Sequence, residues 1–347
     1  MKASDFWFDL PPELIAQTPA PEGRDQSRLL VLNRATSTTS HHRFAELTQF
    51  LHAGDVLVLN TSRVLPARLY GKKRETGGQV ECLLVRRTAP DTWEVLLGGS
   101  HITPGLVVNF SVGAVVLHGT VVEHAAPETW FVRFTLSGTD FDAAIAKIGN
   151  TPIPPYIKHH GMDEAALRER YQTVYAQQEG SVAAPTAGLH FTSEMLNGLR
   201  AIGVQIEHVV LHVGIGTFAP VKTDNVSEHR MHAEFAQVSA ATAEAINRAK
   251  TEGRRIIAVG TTTTRTLESF MRDGVLHNGE HWTDIFITPG YRFACIDGII
   301  TNFHLPQSTL LMLISAFAGR EYVMRAYAEA VREKYRFYSF GDAMLIL

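Results

Sequence analysis

The sequence predicts a mixed α/β protein in which a small all-β barrel domain is inserted into a large layered α/β domain. Short β-branched segments follow one another from about Leu65 to Thr135 with only turn residues between them. On both sides, apolar strand segments alternate with amphipathic helical segments. The 347 residues are enough for two domains. We therefore assign 1–64 and 149–347 to the large domain and 65–148 to the barrel.

The composition is that of a folded globular protein, with 45% hydrophobic and 19% charged residues. A formal net charge of −3 disfavours a polybasic binder. The two cysteines have no CxxC spacing, which argues against a disulfide scaffold or a zinc ribbon. The N-terminal segment is acidic where a signal peptide is apolar, and no apolar run has membrane-spanning length. We expect a cytoplasmic protein without membrane contact.

The predicted barrel contains six strands separated by glycine-rich turns and no convincing helix, a pattern typical of a small barrel or sandwich. The strands are Ala67–Tyr70, Val80–Val85, Trp93–Leu97, Leu106–Phe110, Ala114–Val122 and Trp130–Phe134.

Strand and helix alternate in the rest of the chain, which predicts a layered sheet with much parallel pairing. Leu29–Leu32 and Val56–Leu59 are strands before the barrel, and after it Thr192 caps a helix that ends at Gly203. The elements that follow are strand Val204–His212, helix Ser239–Glu252, strand Ile256–Val259, a helix from Thr261, strand Ile285–Ile287, and helices near Ser308 and Tyr322.

Four polar, glycine-rich segments are candidates for a functional site. The first, 180–191, is a loop of small residues that lets a ligand approach the backbone, and it contains Thr186, Gly188 and His190. Its structural alternative is a tight loop with a hydrogen-bonded His190.

The second segment follows a predicted strand and has Gly214-x-Gly216 after His212. A Gly-x-Gly at a strand end can admit a ligand, but the third glycine of a dinucleotide fingerprint is missing. Further on, His229, His232 and Glu234 are candidates for proton transfer or metal binding. Metal is the less favoured option, because no helical face fixes the HxxH spacing.

The third and fourth segments each open a predicted helix. Thr261–Thr264 supply hydroxyls at a helix start that can hold an anion, and Arg265 can pair with a carboxylate. The alternative is an N-cap with more hydroxyls than it needs. In 301–309, Asn302 and His304 can face a ligand, or the segment is a capping loop with Ser308 or Thr309 as cap.

These segments resemble one known family along the whole chain. They read YQTVYA (171–176), GSVAAPTAGLHF (180–191), HVGIGTFAPV (212–221), HRMHAE (229–234), VGTTTTRTLES (259–269), TNFHLPQSTLLMLISAFAG (301–319) and YRFYSFGDAMLI (335–346). In this order they are similar to the S-adenosylmethionine:tRNA ribosyltransferase-isomerases of the queuosine pathway.

The resemblance implies an enzyme that transfers the ribosyl part of S-adenosylmethionine to the aminomethyl group of a 7-deazaguanine at the tRNA wobble position. The ribosyl part is isomerised to an epoxycyclopentanediol, so epoxyqueuosine forms and adenine and methionine leave. It also implies an α/β domain with a small β-barrel. The expected partners are tRNA and S-adenosylmethionine as a consumed co-substrate. We expect no metal or other cofactor, no obligate protein partner, and a monomer.

That chemistry requires a base for the attacking amine, an acid for the departing adenine and a site that excludes water. We expect the acid and the base among His190, His212, His229, His232, Glu234 and His304. The residues expected to bind substrate are Thr186, Gly188, Phe191, Gly214, Gly216, Thr217, Phe218, Thr261, Thr262, Arg265, Asn302 and Asp342. Among them, the segment Thr261–Arg265 is expected to hold the methionine carboxylate or the ribose. Aromatic faces of Phe191, Phe218 and Tyr338 are suited to the sulfonium charge.

Two other functions compete with this one: an S-adenosylmethionine-dependent transferase acting on a small molecule, and a tRNA-binding protein without chemistry. Phosphate contacts require Lys and Arg. Local basic groups include Arg63, Arg68, Lys72–Arg74, Arg86–Arg87, Lys158–His160 and Arg332–Arg336.

Overall fold

The computed structural model describes residues 1–158, 161–214 and 223–347, and it has the predicted mixed α/β architecture. The strands are β1 (Arg28–Asn33), β2 (Thr38–Arg43), β3 (Val56–Asn60), β4 (Ser62–Val64), β5 (Arg68–Lys73), β6 (Gln79–Ala89), β7 (Thr92–Gly98), β8 (Val107–Val112), β9 (Val115–Ala126), β10 (Thr129–Phe134), β11 (Gln178–Ser181), β12 (Gln205–Leu211), β13 (Glu234–Val238), β14 (Ile256–Val259), β15 (Met271–Arg272), β16 (Val275–Leu276), β17 (Gly279–Thr283), β18 (Gly298–Asn302) and β19 (Ala343–Ile346). The α-helices are α1 (Gly138–Ile148), α2 (Glu164–Arg170), α3 (Ser193–Ala201), α4 (Ala240–Thr251), α5 (Gly260–Phe270), α6 (Thr309–Ala318) and α7 (Arg320–Arg332).

The large domain is built on a nine-stranded sheet in the order β17-β13-β12-β3-β14-β18-β19-β1-β2. The four central strands β12, β3, β14 and β18 are parallel, and the outer pairs β17/β13 and β1/β2 are antiparallel. The much parallel pairing predicted from the sequence is therefore confined to the centre of the sheet and to β1/β19.

Alternate residues of the strands face two helical layers, which makes the domain a three-layer structure. Leu30 and Leu32 of β1 belong to one core together with residues of α4–α7. Leu29 and Val31 belong to the other core, with residues of α3 and the 3-10 helix Phe44–Gln49. Strands that are buried on both faces, such as β3 (VLVLN) and β14 (IIAV), are nearly continuous apolar runs, as is typical of parallel sheets covered by helices.

The inserted module is a closed antiparallel barrel in the order β10-β7-β6-β5-β8-β9, as predicted from the turn-separated strands. Side chains that alternate along the strands fill its interior, among them Leu69, Phe110 and Leu117. Helix α1 packs against it, with Phe141 stacked on Trp93 at 5.5 Å between ring centroids. All six strands and α1 lie within 65–148, and the exact domain limits stay a prediction.

One predicted strand is wrong. Ile285–Ile287 is not a strand, and β17, which ends at Thr283, is the edge strand instead. Ile287 is nevertheless buried in the core, and the carbonyl of Ile285 accepts a hydrogen bond from Arg265 Nε (3.3 Å). The apolar run therefore reflects burial of a connecting segment and not strand pairing.

The two chain segments that connect the barrel to the large domain lie side by side. Arg68, at the start of β5, and Asn150, just after α1, exchange backbone hydrogen bonds of 3.1 and 2.8 Å. Gly149 lies against them, because a Cβ there would overlap the carbonyl oxygens of Pro66 and Ile145. The barrel is thus joined to the large domain by two adjacent, paired segments. Within the described ranges, no helix has the length and apolar character to cross a membrane.

We predict that Gly149→Ala lowers the free energy of unfolding by about 2 kcal/mol or more, because backbone must move to admit the methyl group. Gly198→Ala is the matched control, since nothing lies within 4 Å of the corresponding Cβ on helix α3. This control is expected to raise stability by up to about 1 kcal/mol. Urea and thermal unfolding of the two variants provide the measurement, and identical transitions for Gly149→Ala and the wild-type protein would contradict the prediction.

Candidate functional site

Four neighbouring parallel strands end at one edge of the large sheet, and the polar segments follow these ends. His212–Gly214 comes after β12, helix α5 begins directly after β14, and Asn302 is the last residue of β18. Ligands of open α/β sheets bind outside the carboxyl ends of the strands, so this edge is the expected ligand site.

The side chain of Asn60 joins the ends of β3 and β12 to the start of α5. Its amide nitrogen donates to the Leu211 carbonyl (3.0 Å) and to Thr262 Oγ1 (3.3 Å). Its amide oxygen accepts from the backbone N–H groups of Ser62 (3.0 Å) and Leu211 (3.1 Å). Because Asn60 is fully buried, these four contacts fix the elements that carry the site.

A cleft of about 980 Å³ lies between the barrel and this edge of the sheet. The barrel wall includes Arg86, Arg87, Trp93, Glu94 and Thr129. The opposite wall includes five predicted site residues, which are His212, Gly214, His229, His232 and Glu234, together with Arg230 and Trp282. The guanidinium of Arg86 lies 5.1 Å from the ring centroid of Trp282, so the two walls approach each other there.

His212 is held at the cleft by one of its two ring nitrogens. Nδ1 lies 2.8 Å from Ser62 Oγ, and the ring stacks on Phe235 at 5.4 Å between centroids. Gly180 covers the ring so closely that any Cβ there would collide with it. Burial lowers the pKa of His212 below its ordinary value of 6.5. In the tautomer whose Nδ1–H donates to Ser62 Oγ, Nε2 carries the lone pair of a neutral base.

The other two histidines of the cleft are more accessible. His229 is half-buried and packs edge-on against Phe286 at 5.2 Å, whereas His232 is exposed. Burial, and then the positive charge of His232, lower the pKa of His229. Both imidazoles line the cleft, and no described residue holds either of them by a side-chain hydrogen bond like that between His212 and Ser62.

Glu234 and Arg265, two predicted site residues, form a buried ion pair with each other. Glu234 Oε2 accepts from Arg265 Nη1, and Oε1 accepts from the backbone N–H of Gly214 (2.8 Å). Their side chains are only 2% and 3% exposed. The carboxylate that pairs with Arg265 is thus one of this chain, and Glu234 holds the strand end that carries Gly214. Among the described residues, no three His, Cys, Asp or Glu side chains are placed to hold a metal ion.

A second, smaller cavity of about 40 Å³ lies at the start of α5. It is lined by Thr186, Thr261, Thr262, Asn302 and His304, all predicted site residues, and by hydrophobic neighbours such as Leu310. Val213 lines both the cavity and the cleft. Two of the four threonine hydroxyls bond back to their own helix instead, Thr263 to the Val259 carbonyl (2.6 Å) and Thr264 to the Gly260 carbonyl (3.1 Å).

His190 and Asn302 form a buried hydrogen-bonded chain beside this cavity. Asn302 Nδ2 donates to the Tyr338 carbonyl (3.1 Å) and lies 3.1 Å from His190 Nε2. Because a carbonyl only accepts, the amide orientation is settled, and Nε2 of His190 must accept as well. Nδ1 then donates to Ser27 Oγ (2.8 Å). Burial lowers the pKa of His190 to about 4, so the ring is neutral at physiological pH.

His304 is likewise a buried, neutral histidine. Its Nε2 lies 2.9 Å from Thr301 Oγ1, and its backbone N–H bonds to the Tyr327 hydroxyl (2.9 Å). Burial lowers its pKa to about 3. At pH 7 both rings are therefore neutral imidazoles, and neither has an imidazolium proton to donate as a general acid.

Four predicted substrate-binding residues are not among the described residues that line the cleft or the small cavity. One is Arg265, which is held in the ion pair with Glu234, and the others are Gly188, Phe191 and Asp342. Gly188 packs beneath the Tyr175 hydroxyl, and Phe191 packs edge-on against Phe44 in the core. Asp342 accepts from the backbone N–H groups of Arg28 (2.9 Å) and Arg336 (2.8 Å). Burial raises the pKa of Asp342. Gly216, Thr217 and Phe218 are outside the described residues.

Sequence reasoning missed several residues that build the site. Asn60, Ser62 and Trp282 were not singled out, although Asn60 and Ser62 lie in the motif VLNTSRVLP at the end of a predicted strand. A polar pair after an apolar strand is the same pattern that identified the other segments. No sequence pattern marks Trp282, because its place in the cleft depends on Arg86 of strand β6, which is distant in the chain.

Comparison with known proteins confirms the resemblance found in the sequence. The family described as "Queuosine biosynthesis protein" matches residues 3–346. The S-adenosylmethionine:tRNA ribosyltransferase-isomerase of Heliobacterium modesticaldum is 53% identical over 350 residues, and that of Desulfitobacterium hafniense is 52% identical over 349 residues. Both alignments cover 100% of this chain and 100% of the relative.

A solved structure agrees with the fold. The crystal structure of S-adenosylmethionine tRNA ribosyltransferase from Thermotoga maritima is 37% identical, covers 99% of this chain and 100% of that chain, and has a TM-score of 0.56. Since family and relatives match over essentially the whole length, this chain belongs to the queuosine biosynthesis protein family.

Proposed function

We propose that this protein is an S-adenosylmethionine:tRNA ribosyltransferase-isomerase. It transfers the ribosyl part of S-adenosylmethionine to the aminomethyl group of 7-aminomethyl-7-deazaguanine at the tRNA wobble position and isomerises it, which gives epoxyqueuosine-tRNA and releases adenine and methionine. The observation that carries the proposal is the match at 53% identity over the whole length to a relative of that name.

The geometry supports this function because the reaction joins a macromolecule to a small co-substrate. The cleft of about 980 Å³ is wide enough for an extruded nucleotide together with part of S-adenosylmethionine. An enzyme that acts on a base brings it out of the stack into a pocket, where aromatic and basic side chains can hold it. Trp282, which is 49% exposed, and Arg86 are such side chains at the cleft walls.

His212 is the residue best suited to act as the base for the attacking amine. A primary amine is largely protonated at neutral pH, so the enzyme must take up its proton before the new N–C bond forms. Nε2 of a neutral His212 can accept that proton, while Ser62 orients the ring. The acid that protonates the departing adenine is then best sought in His229 and His232, which line the same cleft.

We further propose that the protein works in the cytoplasm as a monomer, without a metal, another cofactor or an obligate protein partner. S-Adenosylmethionine is consumed as a co-substrate. The acid–base chemistry above uses side chains of a single chain, and two buried free cysteines suit a reducing compartment.

The decisive experiment is mass spectrometry of tRNA carrying the 7-aminomethyl-7-deazaguanine precursor, after incubation with the protein and S-adenosylmethionine. We expect the mass of the epoxycyclopentanediol adduct, with adenine and methionine in the supernatant. Label from the ribose carbons must enter the tRNA. Transfer of label from the methyl group would indicate a methyltransferase, and binding of tRNA without adenine release would indicate a non-catalytic binder.

We predict that His212→Ala lowers kcat about 10²- to 10⁴-fold, the usual contribution of a general base. The loss should shrink as pH rises towards the pKa of the substrate amine, because the free amine then forms without help. Steady-state kinetics from pH 6 to pH 9 provide the measurement. His52→Ala, a change of an exposed histidine, is the control and should leave kcat unchanged. Full activity of His212→Ala at pH 7 would remove His212 from this role.

We predict that tRNA affinity falls steeply with salt, although the net charge of the protein is −3. Arg86→Gln and Arg230→Gln should each reduce the slope of log K against log salt by about 1, because each removes one cation at the cleft. Arg325→Gln, a change of an exposed arginine on α7, is the control. A salt-independent affinity, or equal slopes for all variants, would contradict a phosphate-binding surface at the cleft.

A further inference from the structure

The small cavity at the start of α5 brings together a helix start without a side-chain cap and a buried acceptor that has no hydrogen-bond partner within residues 1–158, 161–214 and 223–347. Helix α5 has eleven residues, and no side chain caps its start in the described part of the chain. The first N–H groups of a helix lack intrahelical acceptors and attract negative charge. Gly260, Thr261 and Thr262 bring this helix start to the cavity wall.

Asn302 supplies the acceptor. Its amide nitrogen is used twice, on the Tyr338 carbonyl and on His190, which leaves Oδ1 as the remaining polar atom. Oδ1 is buried and has no hydrogen-bond partner among the described residues, while the residue is only 3% exposed. A buried carbonyl oxygen without a donor costs free energy, so this atom is prepared for a ligand that donates.

The presence of hydrogen-bond donors and an acceptor in one cavity limits which chemical groups a ligand can place there. A phosphate or a lone carboxylate would suit the helix start but would face the lone pairs of Asn302 Oδ1. A lone amine would suit Oδ1 but not the helix start. Among the described residues that line the cavity there is no Asp, Glu, Lys or Arg, so a ligand without net charge avoids an uncompensated buried charge.

Size narrows the choice further. The volume of about 40 Å³ accommodates about three water molecules at on the order of 10 to 15 Å³ each. That is room for the charged groups of an amino acid and not for a purine. Val213 lines both this cavity and the large cleft, so the two hollows adjoin at this residue.

We propose that this cavity binds the α-amino-acid end of S-adenosylmethionine, with the carboxylate at the start of helix α5 and the ammonium on Asn302 Oδ1. The proposal rests on the function proposed above. His190 is then a positioning residue: it accepts from Asn302 Nδ2 and thereby keeps Oδ1 turned into the cavity.

Calorimetry with three ligands tests the subsite directly. The ligands are S-adenosylmethionine, its decarboxylated form and its deaminated form. The intact protein should bind both altered forms at least about tenfold more weakly, as for loss of a charge-assisted hydrogen bond. Equal affinity for all three would overturn the proposal.

The variant Asn302→Ala separates the contribution of the ligand's ammonium group to affinity from that of its carboxylate. It should weaken S-adenosylmethionine about tenfold or more, and it should abolish the penalty for removing the ammonium but keep the penalty for removing the carboxylate. Asn197→Ala, a change of an exposed asparagine on α3, is the control. If Asn302→Ala weakens the intact and the deaminated ligand by the same factor, Asn302 does not meet the ammonium.

A pair of His190 variants tests the positioning role, including the case in which Asn302→Ala fails to fold. The side-chain carbonyl of His190→Gln reaches the place of Nε2 and can accept from Asn302, whereas His190→Asn reaches only the place of Nδ1 beside Ser27. His190→Gln should keep the affinity for S-adenosylmethionine within about threefold, and His190→Asn should lose about tenfold. Equal affinities would overturn the role. Binding is measured without tRNA, so failure of the wild-type protein to modify tRNA would count against the proposed function and not against this subsite.

Discussion

The site depends on one constraint: four parallel strands end together, and the backbone polar groups at their ends need partners. Asn60 meets this need for β3, β12 and α5 with a single buried amide. Glu234 meets it for the segment after β12, through Gly214 and Arg265. Because Asn60 and Glu234 satisfy these backbone polar groups within the protein, the strand ends stay rigid. The polar groups that have no such partner face the cleft and the small cavity. Few polar atoms are therefore left to recognise a ligand, and the rigid strand ends hold them in place.

Burial divides the predicted acid–base residues into two kinds. His190 and His304 are enclosed, and burial lowers their pKa values to about 4 and about 3, so they remain neutral acceptors or donors over the physiological range. His212, His229 and His232 line the open cleft, where a proton can be exchanged with a ligand. The tautomer of neutral His190 is set by its hydrogen bonds to Ser27 and Asn302, which suits it to orient Asn302. The same residue type thus serves either orientation or proton transfer, according to its exposure.

The sequence was sufficient for the architecture and for most of the site segments, because both depend on local patterns. Period-two strands between turns predicted the closed barrel, and strand–helix alternation predicted the layered sheet. It failed where burial without pairing imitates a strand, as at Ile285–Ile287. It also did not single out the largely polar edge strand β2, or the strands β13, β17, β18 and β19. Contacts between residues distant in the chain could not be predicted from the sequence either. No sequence pattern links Arg265 to Glu234, or His190 to Asn302, because only the fold brings them together.

Separation of the two hollows has a consequence for the chemistry. In the proposed reaction, methionine leaves from the sulfonium carbon while the ribosyl part becomes attached to the tRNA. A subsite that holds the amino-acid end lies away from the bonds that change, so its binding energy can align the sulfonium with the base in the cleft without opposing the bond rearrangement. Val213 lines both hollows, so the proposed subsite and the cleft adjoin there. The position of the cavity at the helix start, close to the cleft but distinct from it, therefore suits an enzyme that must hold the methionine part of its co-substrate while the ribosyl part is transferred to the tRNA.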